Sequence, residues 1–180
     1  AAGKSGLVAC YDFGEGKGQT LRDVSGLGNH GQVCGAAWQP SGDKFALRFD
    51  GVDDQVNCGT DKSLNLSKAV TVEAWVYPDG VPGAGEPGVV GKSHGSYLLT
   101  YYTNGAFWWY ISGGGNHCQA AAAAGVWHHV AGTFDGKHLK LYVDGALADT
   151  AESKVPAIPA GGPLFLGVNA SDREPGKWTH

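Results

Sequence analysis

Methionine is absent from this 180-residue chain, and no long stretch carries the 3.6-residue apolar period of an amphipathic helix. The alanine-rich segment at residues 120–125 amounts to about a turn and a half of helix, so it reads as a loop. Positive charge is scarce and unclustered, with 13 Lys and Arg against 17 Asp and Glu and a net charge of −4. Nucleic-acid binding rests on neutralising phosphates, which argues against that class of partner. No run approaches the roughly 20 apolar residues of a membrane span. The start, AAGKSG, lacks a signal peptide's apolar core and reads as a mature terminus left after signal removal. Cysteine is limited to Cys10, Cys34, Cys58 and Cys118, without C-x-x-C spacing, which argues against zinc or thioredoxin-like chemistry. Two readings stay open for them: disulfides in an oxidising compartment, with Cys10–Cys34 favoured because their segments are early and adjoining, or buried free thiols. An HExxH helix and a phosphate-binding P-loop are also missing.

What is present is glycine, thirty residues of it, with eight prolines, the composition of many short strands joined by turns. Residues 125–145, GVWHHVAGTFDGKHLKLYVDG, alternate with period two and turn at Asp135-Gly136 and Asp144-Gly145, where glycine supplies the positive φ of a tight hairpin. Neighbours in a strand face opposite ways, so His128 and His129 cannot ligate one ion together, and with Trp127 they read as scaffold. LVACYDF, residues 7–13, reads as the first strand. VTVEAWVY, residues 70–77, alternates cleanly, with Glu73, Trp75 and Tyr77 on one face; Trp75 reads as structural, and Glu73 is a candidate acceptor for sugar hydroxyls.

The hairpin at 97–112 admits two registers. A three-residue Thr-Asn-Gly loop, with Gly105 in the left-handed bulge position, makes one face wholly apolar and leaves Tyr102, Trp108 and Tyr110 on the other as an aromatic platform. Loops at 78–96 and 113–119 would rim it and supply His94, Asn116 and His117. Two further loops are rich in oxygen: one holds Asp23, Ser25 and Asn29, the other Asp50, Asp53 and Asp54. They suit a hard cation, or alternatively carboxylates that cap turns. Asn65-Leu66-Ser67 and Asn169-Ala170-Ser171 match the glycosylation sequon, a pattern short enough to arise by chance.

The runs GLVACYDFGEGKGQTLRDVSGLGNHG, ALRFDGVDDQVNCG, TVEAWVYP, WHHVAGTFDG with LKLYVDG, and PLFLGVNAS occur in an order that resembles the laminin-G-like, concanavalin A-like lectin jelly rolls. The resemblance covers nearly the whole chain and implies an all-β fold, a two-sheet antiparallel β-sandwich forming one domain over 1–180. It implies a structural calcium ion with Asp23, Asn29, Asp50 and Asp53 as ligands. It also implies a last strand near the first that is not found before His180. The function implied is a non-catalytic carbohydrate-binding module, secreted to an extracellular or periplasmic space, that binds an oligo- or polysaccharide and belongs with other domains of a longer polysaccharide-processing or adhesive protein. Alternatives are a glycoside hydrolase or lyase of the same fold, and a protein-binding adhesive module.

Overall fold

The computed structural model of the chain describes residues 6–83, 85–92, 96–111, 117–159 and 161–169. In chain order its strands are β1 (Thr20–Leu21), β2 (Gly31–Cys34), β3 (Ala37–Ser41), β4 (Lys44–Arg48), β5 (Gln55–Asn57), β6 (Val70–Val76) and β7 (Gly88–Gly91). They continue with β8 (Tyr97–Tyr102), β9 (Ala106–Ile111), β10 (His117–Ala121), β11 (His128–Phe134), β12 (His138–Val143), β13 (Ala146–Glu152) and β14 (Phe165–Leu166). One single-turn 3-10 helix, Lys62–Leu64, interrupts them.

The larger sheet has the order β1-β2-β5-β14-β7-β8-β9-β10, and the smaller one β13-β12-β11-β6, while β3 and β4 form a separate hairpin. The all-β, two-sheet sandwich is as expected. Between the sheets, Tyr97, Leu99, Tyr101, Phe107, Trp109 and Ile111 of the large sheet meet Val130, Phe134, Leu139 and Leu141 of the small one. Trp109 is the deepest bridge: its indole is fully buried and its Nε1 donates to Thr133 O at 3.0 Å. Gly132 makes room for it, since a Cβ there would collide with the indole ring.

The three-residue register of the aromatic hairpin is the one formed, pairing Tyr97 with Ile111, Leu99 with Trp109 and Tyr102 with Ala106, with Gly105 at φ 70°. Both Asp-Gly turns also form with positive φ at the glycine, and the β11–β12 ladder runs from Val130–Val143 to Phe134–Leu139.

Other local expectations needed correction. Residues 7–13 form no strand; they are held by the loop that follows, with Cys10 N donating to Asp23 Oδ1 and Val24 N to Cys10 O, and Phe13 turns the chain at φ 56°. Side-chain acceptors have replaced ladder partners. The β3–β4 hairpin was not anticipated. His117–Ala121 is strand, so a ladder with β9 absorbs residues that composition assigned to loops. No disulfide forms: all four cysteines are free. Cys58 and Cys118 lie in the core, and burial pushes each thiol up to about 11. Cys34 is exposed at the end of β2, whereas Cys10 is half-buried beside the Asp23 loop.

Among the described residues, β6 pairs only with β11, which leaves its second edge without a ladder partner. A groove of about 2550 Å³ runs past that edge, lined in part by Val8, Phe13, Leu47, Phe49 and Val72.

Candidate functional site

The predicted ligand residues divide between two outer faces. Tyr102, Trp108, Tyr110 and His117 come together on the large sheet, where the register turns them away from the core. Trp108 lies 5.1 Å from Tyr102, 5.5 Å from Tyr110 and 4.5 Å from His117, centroid to centroid, the last two contacts being stacked. The platform is therefore a self-stacked cluster. Tyr102, Trp108 and His117 are half-buried, and Tyr110 is only 5% exposed. Leu98 and Thr100, on the same face, are fully buried, with the Thr100 hydroxyl donating to Pro87 O at 2.7 Å. Pro87, in the loop before β7, thus covers one end of the platform, and among the described residues Tyr102, Trp108 and His117 stay partly exposed.

Electrostatics distinguish the covered end from the partly exposed one. Burial, followed by the negative charge of Glu86 and the neighbouring Tyr102 hydroxyl, pushes the Tyr110 hydroxyl well above the usual phenol range, so it stays protonated. Glu86, which the sequence reading missed, accepts from Asn169 Nδ2 at 3.2 Å. At the partly exposed end Trp108 Nε1 donates to Asn104 Oδ1 at 3.2 Å, and Asn104 Nδ2 reaches Gln119 Oε1 at 3.5 Å. His117 Nδ1 is buried against this stack with no hydrogen-bond partner among the described residues. An orphaned imidazole nitrogen costs free energy until a donor or acceptor reaches it. His94 and Asn116 lie outside the described residues.

Glu73 is elsewhere. It sits on the outer face of the small sheet, where His129 Nε2 approaches Glu73 Oε2 at 3.7 Å and the Trp75 and His129 rings lie 5.3 Å apart. Trp75 is 68% exposed, which corrects its assignment to the scaffold. Trp127 is also exposed, packed on Tyr77 at 5.6 Å. His128 alone of the three is the scaffold residue expected, buried between Asp144 Oδ2 at 2.8 Å and Ala123 O at 3.0 Å. Two acceptors flank one ring, which only the doubly protonated imidazole satisfies. The Asp144 hydrogen bond accordingly raises the His128 pKa, and His128 in return lowers that of Asp144.

The four predicted calcium ligands are not brought together. Asp23 Oδ1 accepts from the amides of Cys10 and Ser25, and Oδ2 from the Ser25 hydroxyl and the Asn29 amide. Although burial pushes the other way, these bonds, led by Ser25, hold its carboxyl below the usual range. The geometry is that of a turn anchor already saturated by donors. Asn29 Nδ2 donates to Val8 O and Ser63 Oγ, which ties it to the same anchor. Asp50 and Asp53 do gather, with Asp54 as their third member, and the ligand atoms of the three lie within 4.8 Å of one another. Two of those carboxylates also organise the loop, Asp50 Oδ1 accepting from Val52 N and Asp54 Oδ2 from Asp50 N.

The fold agrees with the sequence comparison. The sequence signature of the concanavalin A-like lectin/glucanases superfamily matches residues 50–180, and the chain belongs to that family. No curated protein matches the sequence. Among solved structures, the binding domain of Paraclostridial Mosquitocidal Protein 1 superposes with a TM-score of 0.74 at 16% identity, over 93% of this chain and 45% of that one. Domain 4 of AbnA, an extracellular GH43 arabinanase from Geobacillus stearothermophilus solved with arabinotriose, gives 0.62 at 19% identity, over 82% and 77%. A mutant of Trypanosoma rangeli sialidase displaying trans-sialidase activity gives 0.67 at 19% identity, over 98% and 29%. This chain therefore spans under half the length of the mosquitocidal and sialidase chains. At these identities the likeness is one of fold, shared by binding domains and enzymes alike. Among the described residues no helix is long and apolar enough to cross a membrane.

Proposed function

We propose that the domain is a non-catalytic carbohydrate-binding module of a larger exported protein, with the partly exposed Tyr102–Trp108–His117 stack as its contact. The observation that carries this reading is the half-buried Trp108–His117 stack with the Asn104 and Gln119 side chains beside it. A sugar offers C–H faces to an aromatic edge and a hydroxyl to the imidazole, and the Asn104 and Gln119 amides stand beside the stack for further hydroxyls. Glycoside hydrolysis uses two carboxylates across the scissile bond, and two described carboxylates near these residues are already engaged, Glu86 with Asn169 Nδ2 and Asp149 Oδ2 with Gln119 N at 2.9 Å. Support from fold comes from the arabinanase domain, whose structure holds arabinotriose.

Retardation in gels containing arabinan, xylan, galactan, mixed-linkage β-glucan or sialylated mucin tests the reading. We expect at least one of these to retard the wild type, and Trp108→Ala to weaken that retardation about tenfold. No retardation by any of them would sink it.

Calcium enters the same reading as a structural ion of the 50–54 loop, with Asp50, Asp53 and Asp54 as its carboxylate ligands and Asp23 and Asn29 left to anchor their turn. An ion there relieves repulsion among three close carboxylates. The melting temperature should rise with added calcium and fall with chelator; equal values in both would remove the ion.

A further inference from the structure

We infer that the outer face of the small sheet is a second carbohydrate-binding surface, an extended strip that takes a short run of a linear glycan. This rests on the carbohydrate reading above but on different residues. Antiparallel pairing of β6 with β11 sets Thr71 opposite Thr133, Glu73 opposite Ala131 and Trp75 opposite His129, and the Tyr77–Trp127 ring pair continues the line. Four cross-strand pairs, each two residues from the next, make a strip about 20 Å long. One end is aromatic and the other hydroxylic, with a carboxylate and an imidazole between them.

The chemistry of that middle selects the occupant. Trp75 keeps 68% of its surface in water, and the His129 ring meets it at 56°, tilted so that the two do not stack face to face. The indole therefore differs from Trp108, whose faces are occupied by neighbouring rings. Glu73 stands beside it with its side chain 68% exposed and its only described ion-pair partner His129 at 3.7 Å. Covering this carboxylate with an apolar protein surface would strip its water for one distant partner, a costly exchange. A sugar replaces those waters with hydroxyl donors while its C–H face lies on the indole. Exposed aromatics flanked by hydrogen-bonding groups in a line thus fit a glycan better than a protein partner.

The test uses the same five polymers with Trp75→Ala, Trp108→Ala and the double variant, together with calorimetry against arabinotriose or the matching trisaccharide of whichever polymer retards the wild type. Trp75 is exposed, so its replacement should leave the melting temperature close to that of the wild type. We expect Trp75→Ala alone to weaken retardation about three- to tenfold, the double variant to migrate as in a gel without polymer, and the stoichiometry to fall from two per chain to one. Wild-type retardation of Trp75→Ala with a wild-type stoichiometry of one overturns the second surface and leaves the first standing. Loss confined to Trp75→Ala does the reverse. A wild type retarded by no polymer overturns both.

Discussion

The two outer faces of this sandwich carry similar residues and use them differently. On the large sheet Tyr102, Trp108, Tyr110 and His117 stack on one another under the 78–88 loop, and Tyr110 is almost wholly buried. Among the described residues Trp75, His129, Tyr77 and Trp127 on the small sheet meet in pairs, and most of the Trp75 surface stays in water. A ring stacked on other rings has spent much of its contact area on stability. An exposed ring keeps that area for a ligand. The comparison separates aromatic residues that hold a site in shape from those that form its surface.

The largest expected effect that would break this contrast is on stability. Tyr110→Ala should cost about 3 kcal/mol in chemical denaturation, since it empties a buried aromatic position. Trp75→Ala should stay within about 0.5 kcal/mol in the same measurement, as exposed positions usually do. Equal losses would mean that the two faces are alike.

A smaller effect involves the turn that supports the small-sheet face. His128, raised in pKa by Asp144, contributes stability that is fully present below its unfolded value of about 6.5 and is lost as pH rises through the higher folded value. Asp144, lowered by His128, contributes stability that disappears as pH falls through its folded value, below about 3.9. The pair is therefore strongest between those limits. A melting temperature about 2–4 °C lower at pH 8.5 than at pH 5.5, with the difference abolished in His128→Gln, is the expected outcome. An unchanged profile in that variant would show that the buried imidazole does not titrate with folding. The smallest expected effect is Glu73→Gln, which should leave melting unchanged and weaken retardation by any binding polymer by about threefold or less, through loss of one charge-assisted acceptor.

Much of the local structure was legible because it depends on neighbours in the chain. Period two and the Asp-Gly pairs marked the β11–β12 hairpin, and Gly105 selected the register that put Leu99 with Trp109 and turned Trp108 outward. Trp75 was misread because both faces of VTVEAWVY contain large apolar residues, so alternation separates two sets without showing which one the other sheet covers. Residues 7–13 alternate like a strand but found Asp23 in place of a ladder. Asp23 itself was expected as a metal ligand from the family resemblance and its oxygen-rich loop. Four backbone and hydroxyl donors, from Cys10, Ser25 and Asn29, only become visible once the turn is closed. The Cys10–Cys34 pairing failed for a related reason, since closeness in sequence did not bring the two side chains together.

By itself, then, the sequence determined strands, turn types and an all-β sandwich, because alternation and the positive φ of turn glycines are set over a few residues. Only the tertiary structure decided which alternate set met the opposing sheet. It covered part of one aromatic face and left the other more exposed, and it set the Glu73 and Trp75 face beside His129, apart from the Trp108 cluster. The physical reason is that burial is a property of two surfaces in contact, and a strand's own residues specify only one of them.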